Sequence, residues 1–277
     1  MHTFRQYIPS FVKRALRAAY YFLVDSYQSI THTRKAMTPP AMSSFLVGSG
    51  DFHAIGKGIR DSLLQETNLN EDSIVLEIGC GYGRIAVALT ETLSQRGRYD
   101  GIDVVKAATD WCTNEISSRH PNFKFIHSNI ANAYANDAKG ISAAAYKLPF
   151  DDDTYDLVFL TSVFSHMRPE EIRAYLHEIF RVMKPGASCY ATYYLIDDFA
   201  NQQIAKNKAS QNFKHDFGNF LSTNKRVPEQ TIAVQETLIR SYYHESGLSI
   251  REPILFGSWA NRPHHYGYQD TVVAVKN

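Results

Sequence analysis

Three alternate glycines, Gly79, Gly81 and Gly83, close the apolar run Val75-Leu76-Glu77-Ile78 and lead into Arg84 and a helical stretch. Glycine takes positive φ and lets the backbone approach a ligand closely, and the helix behind it presents unpaired N–H groups. The spacing is G-x-G-x-G, and Arg84 stands where a dinucleotide-binding loop has its third glycine. Glu77, two residues before the first glycine, brings a carboxylate that can face a cationic or amino-bearing ligand. A second group, Thr161 to His166 and Met167, ends another apolar run with hydroxyls and an imidazole. In an open α/β sheet such strand ends line the ligand crevice. A third group lies in Gly257–Gly267, where Trp259, Arg262, His264, His265 and Tyr266 offer a flat face for stacking and donors for hydroxyls. That mix suits a sugar-like substrate; the alternative is a solvated loop whose aromatics pack on residues 197–229. Adjacent residues rarely point at one ion, so His264 and His265 do not read as a metal pair.

The elements that must position these groups follow a repeating order of strand, turn and helix. Strands are expected at Ser73–Ile78, Tyr99–Val104, Phe123–His127, Tyr155–Leu160 and Ser188–Ile196. Helical spacing falls between them at Ile85–Leu93, Ala107–Ser118 and Glu170–Met183, the last with Pro169 near its start and Lys184-Pro185-Gly186 after it. Buried strands alternating with helices predict an α/β fold, doubly wound and Rossmann-like, with a mostly parallel seven-stranded sheet. The end departs from the alternation: a helix at Thr231–Glu245, then strands Leu248–Phe256 and Asp270–Val275 with no helix between them, which read as an antiparallel hairpin at the sheet edge. Residues 197–229 interrupt the pattern with a polar stretch carrying Phe213, Phe217 and Phe220, and read as a cap-like insertion.

The sequence from about residue 45 to the end resembles the class I S-adenosylmethionine-dependent methyltransferases. The likeness rests on the glycine loop, Gly101-Ile102-Asp103, Lys147-Leu148-Pro149-Phe150 leading into Tyr155-Asp156-Leu157-Val158, Ile179 to Ala187, and the antiparallel ending. It extends more loosely to bacterial methyltransferases associated with surface glycans. The resemblance implies S-adenosylmethionine as cofactor, its methionine portion held by Glu77, Gly79, Gly81 and Gly83. It implies Asp103 on the ribose hydroxyls, Val104 against adenine, Asn129 or Ile130 near the adenine amino group, and Thr161 in the same pocket. His166 resembles the base of several sugar and natural-product O-methyltransferases, the alternative being a histidine that caps the next helix or shapes the pocket. Asp197-Asp198 falls near the metal ligands of metal-dependent O-methyltransferases, but Thr161-Ser162 offers no matching carboxylate, so no metal is expected. Asp151–Asp153 is explained as a turn.

The chain has 277 residues, 44% hydrophobic and 21% charged, with a formal net charge of +1. That composition is globular, long enough for a substantial core, and carries no global basic field for nucleic acid. Asn/Asp-Pro-Pro-Tyr, the mark of enzymes that methylate base amines, is absent after strand four. Three unclustered cysteines, no secretory signal and no long apolar run point to a reducing, cytoplasmic setting. Residues 1–40 stand apart from the catalytic domain at 41–277. Residues 1–35 hold Arg5, Lys13, Arg14, Arg17, Arg34 and Lys35 against Asp25, a net of +5, which leaves −4 for the rest. Apolar residues from Ile8 to Ile30 recur at helical spacing. The tidy face predicts packing on the catalytic domain; the other readings are contact with an anionic membrane surface and an organelle transit segment.

The expected activity is methylation of a hydroxyl on a sugar, glycan or other polar small molecule, with His166 as general base. The alternatives are N- or C-methylation of a small molecule and a non-catalytic cofactor-binding scaffold.

Overall fold

Apolar runs without polar alternation are buried on both faces only inside a sheet that helices cover. The computed structural model, which describes residues 10–43, 50–130 and 140–277, has that architecture. Its main sheet contains β1 (Ile74–Ile78), β2 (Arg98–Asp103), β3 (Phe123–His127), β4 (Tyr155–Leu160) and β5 (Met183–Tyr193). It is completed by β10 (Leu248–Ile250) and β11 (Asp270–Lys276), in the order β10-β11-β5-β4-β1-β2-β3. Pairing is parallel from β3 to β5, and β11 runs antiparallel to both β5 and β10. The strand order reverses between β1 and β4, the switch point at which such sheets open a crevice.

Helices α2 (Phe52–Glu66), α3 (Arg84–Leu89), α4 (Lys106–Cys112), α5 (Pro169–Val182) and α7 (Glu236–Ser246) flank the sheet. Their starts are chemically marked: Asp51 accepts the Ala54 N–H at 2.8 Å, and Glu171 accepts the Arg168 N–H at 2.8 Å. One core cluster gathers Leu76, Val158, Ile179 and Val272; the other gathers Val75, Leu89, Leu157 and Phe159. Neighbouring positions on β1 and β4 thus feed opposite faces, as strand alternation requires.

The last third differs from the sequence expectation. Strand five ends at Tyr193; Leu195–Ile196 (β6) leaves the main sheet and pairs with Ile232–Gln235 (β9). With β7 (His215–Asp216) and β8 (Phe220–Ser222) they form a second sheet in the order β6-β9-β8-β7. The stretch 197–229 is therefore not one long loop: it contains α6 (Asp198–Ala205) and two strands. Likewise Thr231–Glu245 is not a single helix, because Ile232, Ala233 and Val234 are all buried in the second sheet before α7 begins. The sixth strand is short, ending at Ile250 rather than Phe256. The basic helix α1 spans Ser10–Thr31, close to the predicted range. Ile8, where the predicted helical spacing begins, lies outside the described residues.

Candidate active site

Backbone geometry builds one wall of the site. The Gly79 and Cys80 N–H groups both donate to the Ile102 carbonyl, at 2.7 and 3.2 Å, so the glycine loop is tied to the end of β2. Gly79 has φ +80°, and a Cβ there would fall 2.3 Å from Cγ2 of Val163. Only glycine satisfies that position. Asp103 sits at the tip of β2, where its carboxylate accepts the Gly81 N–H at 2.7 Å and the Val105 N–H at 2.8 Å. Each carboxylate oxygen keeps a second lone pair for a ligand hydroxyl.

Around this wall opens a cavity of about 1130 Å³. It is lined by Glu77, Gly79, Gly81, Asp103, Val104, Ile130, Thr161, His166 and Tyr266 among the residues expected from sequence. Glu77 is buried and accepts a hydrogen bond from the Tyr99 hydroxyl. Burial pushes its carboxyl up to about 8, with the neighbouring Asp103 charge adding to the rise and the Tyr99 bond opposing it. Asp103 is also raised by burial, against the N–H bonds that favour its charged form. The His166 ring meets the Glu229 carbonyl through Nδ1 at 3.0 Å, and burial lowers its pKa.

Six expected positions fall elsewhere. Gly83 starts α3 with φ +69° and packs against Ile116 and Cys112, behind the cavity wall rather than on it. Asn129 is exposed, because side chains alternate past the end of β3 and it is Ser128 and Ile130 that turn inward. The Ser128 hydroxyl is buried in the cavity lining without a partner. Trp259 is 0% exposed: its Nε1–H donates to Asp270 at 2.7 Å, and Tyr194 and Phe213 pack edge-on against it. Arg262 is held between the Phe199 and Phe256 rings and pairs with Asp197 at 2.7 Å. His264 and His265 are exposed outside the lining, His265 bonded to the Arg262 carbonyl across a turn. Of the expected aromatic and basic cluster, Tyr266 alone reaches the cavity, where its hydroxyl is buried without a partner. Asp197, besides its ion pair, caps α6 through the Ala200 N–H at 2.8 Å.

Several lining residues were not among those expected from the sequence. Gln269 bridges strand ends, accepting from Ser162 Oγ at 2.7 Å and Thr192 Oγ1 at 3.0 Å. Glu171, Tyr175 and Tyr190 also line the cavity, and Ile55, Ile59 and Ser62 of α2 cover it. The α2 contribution had one available clue, apolar spacing on a helix just before the glycine loop; Gln269 had none, since it looks like any polar residue before a strand.

Residues 75–186 match the family model described as a methyltransferase domain. A phthiotriol/phenolphthiotriol dimycocerosates methyltransferase of Mycobacterium tuberculosis is 34% identical over 112 residues, 40% of this chain and 34% of that protein. A demethylmenaquinone methyltransferase of Bacillus licheniformis is 27% identical over 127 residues, 46% of this chain and 47% of that protein. The chain thus spans about a third to a half of the curated relatives it matches. The fold is shared with a SAM-dependent methyltransferase structure from Methanosarcina mazei at TM-score 0.52 and 20% identity, covering 75% of this chain and 94% of that one. The lining fits S-adenosylmethionine as cofactor: a carboxylate with two open lone pairs for ribose hydroxyls, a buried acid beside the glycine loop for an amino group, and apolar Val104 and Ile130 near the orphan Ser128 hydroxyl for a base.

Proposed function

We propose that this S-adenosylmethionine-dependent methyltransferase methylates a hydroxyl oxygen of a polar, ring-bearing small molecule, a sugar or glycan unit being the favoured class, with His166 as general base. The observation that carries the reading is the state of His166. A carbonyl can only accept, so the 3.0 Å contact with Glu229 fixes the proton on Nδ1 and makes Nε2 the basic nitrogen. Burial lowers the pKa, although the Glu229 and Gln230 carbonyls act against it. The ring is therefore neutral near pH 7, the form a base must have.

When bound, S-adenosylmethionine supplies an activated methyl group. Glu77 and Gly79 hold its amino-acid end and Asp103 its ribose, which fixes orientation. His166 takes the acceptor hydroxyl proton at Nε2, and the Nδ1–H bond to Glu229 steadies the resulting cation. The cavity exceeds the usual span for a single small-molecule ligand, roughly 300–1,000 Å³, which supports a second, acceptor compartment. Glu171, Tyr175, Tyr190, Tyr266 and Gln269 give that lining the donors, acceptors and ring faces a hydroxylated acceptor needs. The sugar assignment rests on them, since Trp259, Arg262, His264 and His265 lie off the cavity. Glu229 joins the insertion to His166 and also pairs with Arg168 at 2.7 Å, which supports a covering role for the end of 197–229.

The test is His166→Ala against a panel of free hexoses, nucleotide sugars and small amines, with cofactor affinity measured alongside. Turnover on hydroxyl acceptors is expected to fall by about 10²–10⁴ with an unchanged cofactor Kd. Because the base works deprotonated and its pKa is depressed, wild-type activity is expected to hold through neutrality and fall only below histidine's ordinary range. Near-normal turnover by His166→Ala removes the base. Turnover confined to amines replaces O-methylation with N-methylation, and none with any acceptor favours the scaffold.

A further inference from the structure

Helix α1 was expected to bury its apolar face on the catalytic domain, and the structure turns that face outward. Leu16, Tyr20, Leu23, Tyr27 and Ile30 are 60%, 62%, 65%, 65% and 80% exposed. At 3.6 residues per turn these five fall within an arc of about 80°. The opposite side is held by the segment that follows the helix. Ala18, Tyr21, Val24, Asp25 and Gln28 are half-buried, and Asp25 accepts the Ala41 N–H at 2.6 Å, the Met42 N–H at 3.0 Å and Arg34 at 2.8 Å. These bonds set the rotation of the helix about its axis, so the outward stripe is a consequence of the anchor.

We propose that α1 docks the protein on an anionic lipid bilayer, lying in the interface plane with Leu16, Tyr20, Leu23, Tyr27 and Ile30 among the headgroups and upper acyl chains. Charge selects this occupant. Residues 1–35 carry a net +5 while the remaining chain carries −4, so an anionic surface attracts the helix end and repels the rest, orienting the molecule. Symmetric pairing with a second copy brings +5 against +5 along the same seam. Two of the five stripe residues are tyrosines, whose rings sit well where apolar chains meet wet headgroups. None of the described helices is long and apolar enough to cross a membrane, so the contact is peripheral. The inference does not depend on the chemistry assigned to the cavity.

The experiment is flotation of the full chain with phosphatidylcholine vesicles, with and without phosphatidylglycerol, at low and high salt. Light scattering of the same samples without lipid gives the oligomeric state. The wild type is expected to float with the anionic vesicles and to bind at least about tenfold less when phosphatidylglycerol is omitted or salt is raised. Leu23→Glu/Tyr27→Glu is expected to lose at least about tenfold of that binding with an unchanged melting temperature. Phe22→Glu, also exposed but about 120° round the helix from the stripe, is expected to bind within about twofold of wild type. No flotation with anionic vesicles at low salt overturns the proposal. So does a wild-type dimer that Leu23→Glu/Tyr27→Glu converts to monomer, which assigns the stripe to a second copy.

Discussion

At the cofactor end of the cavity, between Glu77 and Val105, the decisive contacts are made by backbone groups: Gly79 and Cys80 on the Ile102 carbonyl, Gly81 and Val105 on Asp103. In a second region, off the cavity between β6 and β11, they are made by side chains reaching across the chain. The buried Asp270 carboxylate takes N–H bonds from Leu195, Gly257 and the Trp259 indole, each at 2.7 Å, and Arg262 reaches back to Asp197. Both regions are rich in groups that could bind a ligand, but only the first lines the cavity. The first is a surface for a ligand because its backbone is bent to expose itself. The second is internal scaffolding, because a buried carboxylate has claimed the indole as one of its three donors. Residue type alone does not separate the two cases; the acceptor does.

Breaking the cofactor end gives the largest effect. Asp103→Ala removes an acceptor for ribose hydroxyls and leaves the Gly81 and Val105 N–H groups without partners. Calorimetric titration is expected to show S-adenosylmethionine binding weakened at least about 100-fold, two charge-assisted bonds being involved. Unchanged affinity removes the ribose role. In the second region, Trp259→Phe keeps a ring but deletes the donor to Asp270, and the fold is expected to lose about 1.5–3 kcal/mol in thermal or denaturant unfolding. Cofactor Kd should not move. A raised acceptor KM with an unchanged melting temperature would instead return Trp259 to the acceptor site.

A smaller effect sharpens the electrostatics of the cofactor end. Glu77 is pushed up to about 8 by burial, so it is largely protonated in the free protein at pH 7. An amino group facing it favours the charged form, so binding releases a proton, tightens as pH rises toward about 8, and levels above it. The slope is at most about tenfold per pH unit. Glu77→Gln is expected to flatten that profile and abolish the proton release, read as buffer-dependent binding heat. The smallest effect is none: His264→Ala and His265→Ala, both exposed and off the cavity, should leave kcat/KM within about twofold. A loss beyond tenfold in either would place the loop tip at the acceptor after all.

Much of the fold was legible because it follows short-range rules. The strand–helix alternation, the glycine loop and the acid at the tip of β2 are each set within a few residues, by hydrophobic period or by backbone conformation. Errors appear where a short apolar run has two solutions. Ile232-Ala233-Val234 fits the first turn of an amphipathic helix as well as a buried strand, and pairing with β6 and β8 decides for the strand. The slip from Ser128 to Asn129 has the same character: with period two, moving by one residue at the end of β3 turns a side chain from the cavity to solvent.

The sequence by itself determined the fold class, the cofactor loop and the existence of an apolar stripe on α1, since these depend on spacing along one segment. Tertiary structure decided which face of α1 looks outward, that Gln269 meets Ser162 and Thr192, and that Trp259 serves Asp270 rather than a substrate. The physical reason is that a hydrogen bond is specified by where two groups end up in space. For Asp197 and Arg262, 65 residues apart, that place is set by the path of two sheets and the turns between them.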